Sequence, residues 1–424
     1  MASTTTLDGL YKQIYADKIS NLVPECAVIY KEVGFSEKTA ELGGFYNQPV
    51  ILGQEQGFSF FAPDTSAPTL TGAVDMSMKN AQVGGFQVAG QSSLTVEAAK
   101  RAVAKGPSAF EDAVGLQMRN LKESAVKRLE ILFLYGQAGI GNAGTNANVN
   151  ATTTDVTITL ADWSAGIWSG LVGARLDLYQ AGTYGLQTKV NSVGPLTISR
   201  VNVATRVVRL TGAAADITAL GTYVSANANL GQFFFAGAYN NEMAGLQRQI
   251  VKPGSMFGID PASFDLWQGN SYAVGSPFAF TFKEMQKAVA LAAGRGLDED
   301  VTVLVNTNTW ANLLSDQAAL RQYVQSTDTF QNGATELVFM SQNGKLIIKP
   351  HLYVKESHAF IVPMKQLVRV GATDVTFDLP GTDKGRIFIQ NPSSLAFEYR
   401  CYSNQSLFLP TPAKAVFVSA IQNT

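Results

Sequence analysis

Residues 84–91, Gly84-Gly85-Phe86-Gln87-Val88-Ala89-Gly90-Gln91, run on through Leu94-Thr95-Val96-Glu97-Ala98-Ala99-Lys100 into a long helical pattern. That pattern closes on Leu121-Lys122-Glu123-Ser124-Ala125-Val126-Lys127-Arg128-Leu129-Glu130-Ile131-Leu132-Phe133-Leu134-Tyr135-Gly136-Gln137. From Pro107 to Tyr135, Phe110, Val114, Met118, Leu121, Ala125, Leu129 and Leu132 recur every three or four residues and form one apolar stripe. Ser108 with Glu111 is a capping-box signature, and Gly136 stands where a C′ glycine is expected. Those bounds predict a rod of about 40 Å.

On the N-terminal side, residues 44–98 read as a long two-stranded hairpin. Phe45, Val50, Ile51, Phe58, Phe60 and Phe61 make the first limb, residues 62–68 a Pro-rich tip, and Val74, Met76, Met78, Phe86, Val88, Leu94 and Val96 the second. Such a ribbon cannot bury both faces by itself. Either it covers its own subunit's core or it lies on a neighbour. Residues 1–43 are polar with a weak helical rhythm (Leu10, Ile14, Ile19, Leu22) and read as an arm without a core.

On the C-terminal side the composition shifts. Residues 145–237 are rich in Thr, Val, Asn and Gly, with short β-like runs at 156–160, 186–193, 196–203, 207–211 and 233–235, which predicts a small barrel or sandwich inserted as a unit. After Asn241 the pattern turns α/β. Thr281 and Glu284 cap a helix to Gly294, Val301–Val305 is a buried-type strand, and a helix is expected from Thr309 to Val324 with Trp310, Leu313, Leu314, Leu320 and Tyr323. Strands are expected at 345–354, 359–362 and 386–409.

Composition narrows the function. The chain has 424 residues, 46% hydrophobic and 15% charged, with a formal net charge of -1, so no basic field argues for gripping nucleic acid. Low charge with much Gly, Ala, Ser, Thr and Asn suits a surface covered by neighbours. No run of eighteen apolar residues suggests a membrane span, and residues 1–6 have no secretory character. Two cysteines, Cys26 and Cys401, suggest a reducing compartment, in which the sequons at Asn150 and Asn404 carry no meaning.

Chemical motifs are weak. Gly139, Gly141 and Gly144 match the dinucleotide-loop spacing but follow a helix rather than a strand, so a linker is the better reading. His351 and His358 have no Cys or paired carboxylate at ligand spacing and read as ordinary strand or turn histidines. A Cys-His arrangement stays open, although no nucleophile elbow supports it. Asp298-Glu299-Asp300 reads as a solvated loop. No catalytic residue, metal ligand or cofactor is expected, and the chain reads as a non-enzyme.

The stretch quoted first, with its Leu-Tyr-Gly ending before a Gly-rich loop, resembles the extended loop and spine helix of tailed-phage major capsid proteins of the Hong-Kong-ninety-seven type. Val303-Leu304-Val305-Asn306-Thr307-Asn308-Thr309-Trp310 resembles that family's axial domain, and Phe397-Glu398-Tyr399-Arg400, continuing to Pro410 and Ala415-Val416-Phe417-Val418, its closing peripheral strands. The resemblance implies an α+β fold divided into an arm (1–43), an extended loop (44–98), a peripheral domain with spine helix (99–144), an inserted β domain (145–237) and an axial domain (238–385). Closing strands (386–410) and a strand returning to the axial domain (411–424) complete the plan.

It also implies a structural protein of the virion capsid, assembled in the host cytoplasm. Its copies would form hexamers and pentamers of an icosahedral head around double-stranded DNA, without sequence-specific contacts. A separate scaffolding protein, expected because the arm starts at Met1, and a portal are the other partners, with a decoration protein as an optional one and no membrane. Candidate inter-subunit residues are Phe58, Phe60, Phe61, Lys79 and Phe86. Some relatives join a loop lysine to a neighbour's asparagine. Lys79 is the single lysine of residues 44–99, and no matched partner asparagine stands out, so a shell without cross-links is expected. The rival readings are an encapsulin-like compartment, told apart by enclosed cargo or nucleic acid, a β-rich tail or adhesin protein, and an enzyme, which would need a concave site with perturbed titratable groups.

Overall fold

The computed structural model describes residues 26–36, 45–63, 69–97, 113–251, 254–275, 277–315, 337–341, 344–378, 389–390 and 396–423. The expected features at Leu10, Ile14, Ile19 and Leu22, at tip residues 64–68, at Ser108, Phe110 and Glu111, and at Leu320 and Tyr323 lie outside these residues.

A one-turn helix α1 (Val28–Glu32) buries Ile29 against the main core. Strands β1 (Tyr46–Gly53) and β2 (Ser77–Val83) then pair antiparallel, with Tyr46 opposite Val83 and Ile51 opposite Met78. Here the expected second limb is corrected. The chain leaves the hairpin at Gly84-Gly85, and β3 (Phe86–Thr95) joins a different sheet, pairing from Phe86↔Gln405 to Thr95↔Ala396. A Cβ on Gly85 would fall 2.0 Å from Asn404 Oδ1 and 3.5 Å from Gly371 Cα, so a side chain at the crossover would have to displace that of Asn404.

The long helix is α2 (Ala113–Tyr135), 23 residues or about 34 Å. Its burial is not one stripe. Met118, Leu121 and Ala125 are half-buried, whereas Leu129 through Tyr135 are buried on every side of the helix. Gly136 is not the left-handed residue either. That conformation falls on Gln137 (φ 63). Gly136 is small for another reason: a Cβ there would sit 2.2 Å from Met243 O, where the chain recrosses at Gly245, whose N donates to Gly136 O at 2.9 Å.

The Gly-rich segment opens strand β4 (Gly141–Asn150), so it is neither linker nor phosphate loop. A dinucleotide site would need a helix there. Together with β5 (Thr153–Ile158), β6 (Arg175–Tyr179), β7 (Leu196–Asn202), β8 (Val207–Thr211) and β9 (Gly231–Phe235), β4 forms a closed barrel in the order β4-β5-β8-β7-β6-β9. Inward residues alternate, as at Thr154, Val156 and Ile158. Between β5 and β6 lies the short helix α3 (Ala165–Trp168), and between β8 and β9 helix α4 (Ala214–Ala226) adds Ile217, Leu220 and Val224 to the barrel interior. The strand expected at 186–193 does not form. It is reduced to one bridge, Tyr179 with Lys189, followed by Asn191, whose Oδ1 accepts from Leu178 N at 2.8 Å and whose Nδ2 donates to Asp177 and Gly194 O. The barrel interior is continuous with the core around Leu129, Phe133 and Tyr353.

Helix α5 (Leu246–Ile250) leads into a six-stranded mixed sheet, ordered β10-β18-β14-β11-β13-β12. Its strands are β10 (Asn270–Tyr272), β11 (Val301–Val305), β12 (Leu337–Ser341), β13 (Gly344–Pro350), β14 (Ala359–Val362) and β18 (Val416–Val418). Central β11 is buried throughout, as a run with four apolar residues of five predicts. Helix α6 (Phe282–Ala293) is capped at Thr281, whose side chain accepts from Glu284 N, and it packs Met285, Ala288, Val289 and Ala292 on the sheet. Helix α7 (Thr307–Ser315) begins two residues earlier than expected. The strand expected to reach Val354 stops at Pro350, after which His351–Val354 closes a turn.

The remaining strands, β15 (Val368–Thr376), β16 (Ile389–Gln390) and β17 (Ala396–Phe408), form with β3 a four-stranded sheet. Helix α2 lies against it: Leu121 fits over Gly90, and Tyr399 Oη donates to Gln117 Oε1 at 2.9 Å.

Candidate functional site

The candidate site is the β1–β2 hairpin. Its base is held: Ala81 and Val83 are buried with Ile259, Trp267, Val370 and Phe408, and Gln82 N donates to Phe257 O at 2.9 Å. Beyond Gly53 and Ser77 the limbs leave the regular ladder but remain joined. Gln56 N donates to Val74 O at 3.2 Å, Thr71 N donates to Ser59 Oγ at 2.7 Å, and the Ser59 and Thr71 hydroxyls lie 2.6 Å apart. Along this distal part the apolar side chains face solvent. Phe58 is 72% exposed, Phe60 95% and Phe61 43%, and Leu70, Val74, Met76 and Met78 are exposed beside them. Aromatic and methionine side chains gathered this way form a patch that a folded monomer rarely leaves open.

Of the five predicted contact residues, Phe58, Phe60 and Phe61 lie exposed on the distal part of the hairpin, and Lys79 lies on the same hairpin, exposed and opposite Val50. Phe86 is separate. It starts β3 and is half-buried against the subunit's own core. There it lines a cavity of about 510 Å³ with Val88, Leu121, Arg128, Phe235 and Glu242.

Glu242 is buried, accepts a hydrogen bond from Gln137 N at 2.8 Å, and is pushed by burial up to about 8. Its folded pKa thus exceeds that of the unfolded chain. The stability linked to its proton is complete below about 4.5 and is lost as pH rises through about 8. Glu242→Gln, which keeps an acceptor for Gln137, is expected to remove that loss. Urea titrations at pH 5 and pH 9 check this: the variant should exceed the parent by roughly 4–5 kcal/mol at pH 9 and by about 1 kcal/mol or less at pH 5. Equal stability at both pH values would contradict the assignment.

Sequence reasoning missed the two polar clusters in which the histidines sit. Both histidines are buried, not simple strand residues. His358 packs by Tyr135, Lys355 and Asp162; burial and the Lys355 charge push it down to about 3, so the imidazole is neutral. Lys355 Nζ donates to Gly139 O at 3.1 Å and to Asp162 Oδ1 at 3.0 Å, and lies 4.4 Å over the Tyr135 ring. This network ties the end of α2 to the barrel and the six-stranded sheet. His351 meets Glu130, more than two hundred residues away in sequence, which no local signal announces. Asp298 pairs with Lys414 at 2.6 Å, and Asp300 accepts from Lys345 N, so the acidic loop is a set of surface contacts. Among the described residues no cluster could hold a metal ion, and no helix is long and apolar enough to cross a membrane.

No family model matches the chain, and no curated protein matches it. Solved structures do. The cyanophage A-1(L) capsid asymmetric unit matches with a TM-score of 0.57 at 12% identity, covering 99% of each chain. The capsid of a native GTA particle matches with a TM-score of 0.50 at 8% identity, again over 99% of each. The holo-SrpI encapsulin complex from Synechococcus elongatus matches at 0.45 and 10% identity, over 100% of this chain and 97% of that one, too low to bear on the fold. Likeness across the whole length of both chains gives this chain the fold of tailed-phage capsid proteins of the Hong-Kong-ninety-seven type.

Proposed function

We propose that this chain is the major capsid protein of a tailed bacteriophage, assembling into hexamers and pentamers of an icosahedral head around double-stranded DNA. The observation that carries this reading is the hairpin, anchored at its base and apolar and exposed beyond it, on a chain with a capsid fold. A second copy supplies the cover that its own sequence lacks. The near-zero net charge fits a wall that encloses DNA without gripping it. Residues 145–237 would present the barrel on the outer face, and a scaffolding protein and a portal would act during assembly in the host cytoplasm.

Electron microscopy of the expressed chain, with and without its scaffolding protein, tests the reading. Closed shells are expected, and a persistent monomer under both conditions would count against it. Enclosed enzyme cargo instead of DNA in particles from infected cells would favour a compartment of the encapsulin kind.

The mature shell is expected to hold without covalent cross-links. Lys79 lies exposed on a strand, where a lysine commonly serves to discourage wrong pairing. A neutral amine is what attack on an asparagine side chain requires. Particles boiled in detergent should run as a single band near 45.4 kDa. A ladder of multimers that vanishes in Lys79→Ala would overturn this.

A further inference from the structure

Strand β3 lies at the rim of its sheet. One edge pairs with β17 without a break, from Phe86↔Gln405 to Thr95↔Ala396. Among the described residues the other edge pairs with no strand, and no hydrogen bond reaches the backbone of residues 86–91 from that side. Edges of this length are ordinarily blunted by lysine, proline or a bulge. Yet Phe-Gln-Val-Ala-Gly-Gln-Ser-Ser-Leu-Thr has no charge, no proline and no shift in register. The base of the hairpin, by contrast, carries Pro49, Lys79 and a register break between Ile51 and Gly53.

Beside the bare edge runs the cavity of about 510 Å³. Six consecutive β3 residues, Phe86 to Gln91, form one wall, and successive side chains of a strand point to opposite faces. The cavity therefore follows the backbone edge rather than one face of the sheet. Leu121, Ser124, Ala125 and Arg128, one stripe of α2, form a second wall, and Phe235 and the chain after it a third. Arg128 supplies the charge. Its guanidinium lies 4.4 Å over the Phe235 ring, burial holds it below its ordinary range, and it has no acidic partner among the described residues. Glu242, the acidic residue of the lining, is pushed by burial up to about 8 and is mostly neutral at pH 7.

The distal hairpin is opposite in charge. From Leu52 to Met78 the sequence holds Glu55, Asp64 and Asp75 and no lysine or arginine. Its first limb has left the ladder by Gln54, and beyond the bond from Gln56 N to Val74 O the backbone of residues 57–61 makes no hydrogen bond among the described residues. We propose that residues 54–61 of one copy add as a strand to the bare edge of β3 in a second copy, with Arg128 meeting the carboxylates of the incoming hairpin. The inference rests on the capsid reading and names the surface on which the hairpin docks. Backbone groups left open on both segments pair at about 4.8 Å between strands. Phe58 and Phe60, which share a face of an extended chain, are covered by the apolar walls of the cavity.

Two measurements on the full chain test this. Hydrogen exchange read by mass spectrometry compares unaltered free subunits with assembled shells. Peptides covering residues 86–91 and 54–61 should both slow by about tenfold or more on assembly. The second measurement combines Gln56→Cys with Ala89→Cys, both at exposed positions. Shells of this double variant treated with a short bis-maleimide should give multimers on a denaturing gel that neither single variant gives, and peptide mapping should place the link between positions 56 and 89. Unaltered shells in which residues 86–91 exchange as fast as in free subunits would overturn the inference and leave the capsid reading standing. So would double-variant shells without that link. If the double variant builds no shells, exchange in the unaltered ones decides. An unaltered chain that builds no shells with its scaffolding protein would overturn both readings.

Discussion

Replacing Phe58, Phe60 and Phe61 together by Ser is expected to yield folded subunits that build no shells. All three side chains face solvent, and none belongs to the buried clusters, so their loss removes nothing from the subunit's own core. Thermal unfolding followed by circular dichroism should therefore be within ~0.5 kcal/mol of the parent, as for other surface changes. Assembly differs. Each aromatic buried on a neighbour contributes about 1.5–3 kcal/mol, and every 1.4 kcal/mol is tenfold in an association constant. Three lost at every contact lower association by several orders of magnitude, repeated around the shell. Sedimentation and electron microscopy should show subunits or capsomers only. Normal shells from this variant would mean that the hairpin does not dock through its aromatic cluster.

Gly136→Val is expected to have the largest effect on folding of the subunit itself. The first side-chain carbon at this position would meet Met243 O at 2.2 Å, Leu132 O at 2.7 Å and Gly245 N at 3.2 Å. All three are backbone atoms, so no rotamer change relieves the contact. They belong to the end of the spine helix and to the strand exit that recrosses it, and Gly245 N bonds to Gly136 O across the same gap. Separating these segments would open the core around Leu132, Met243 and Leu246. A loss of about 3 kcal/mol or more is expected, at or beyond the upper end of overpacking costs. Urea titration would measure it. An unchanged midpoint would show that the two segments do not cross as closely as described.

These two glycines and the hairpin show where local sequence is informative and where it stops. The Thr281 cap was legible because Thr281 and Glu284 lie three residues apart, and capping is decided within one turn. Val301–Val305, Val207–Thr211 and Ala359–Val362 appear with the expected bounds because short apolar β runs carry their own signal. Helix α4 was hidden. Its N-cap is Ala213, with no capping side chain, and its Thr- and Ala-rich turns resemble the strands around it. The 186–193 run looked like a strand, yet it keeps only one bridge to β6, Tyr179 with Lys189, before the Asn191 side chain takes over the contact with Leu178 N. Gly136 was legible as a special position but for the wrong reason, since a close crossing and a left-handed cap both select glycine.

By itself, then, the sequence determined the elements whose causes are short-range. These are the spine helix and its end at Tyr135, the α/β alternation after residue 241, the β-rich block before it, and an aromatic hairpin with too little sequence around it to bury its own rings. Only the tertiary structure decided that β3 belongs with β17 rather than β2, that the β block closes into a barrel sharing the main core, and that Glu130 and His351 meet. Strand pairing and buried polar contacts join residues more than three hundred positions apart. Their energies depend on which groups the folded chain has already removed from water, and no local periodicity records that.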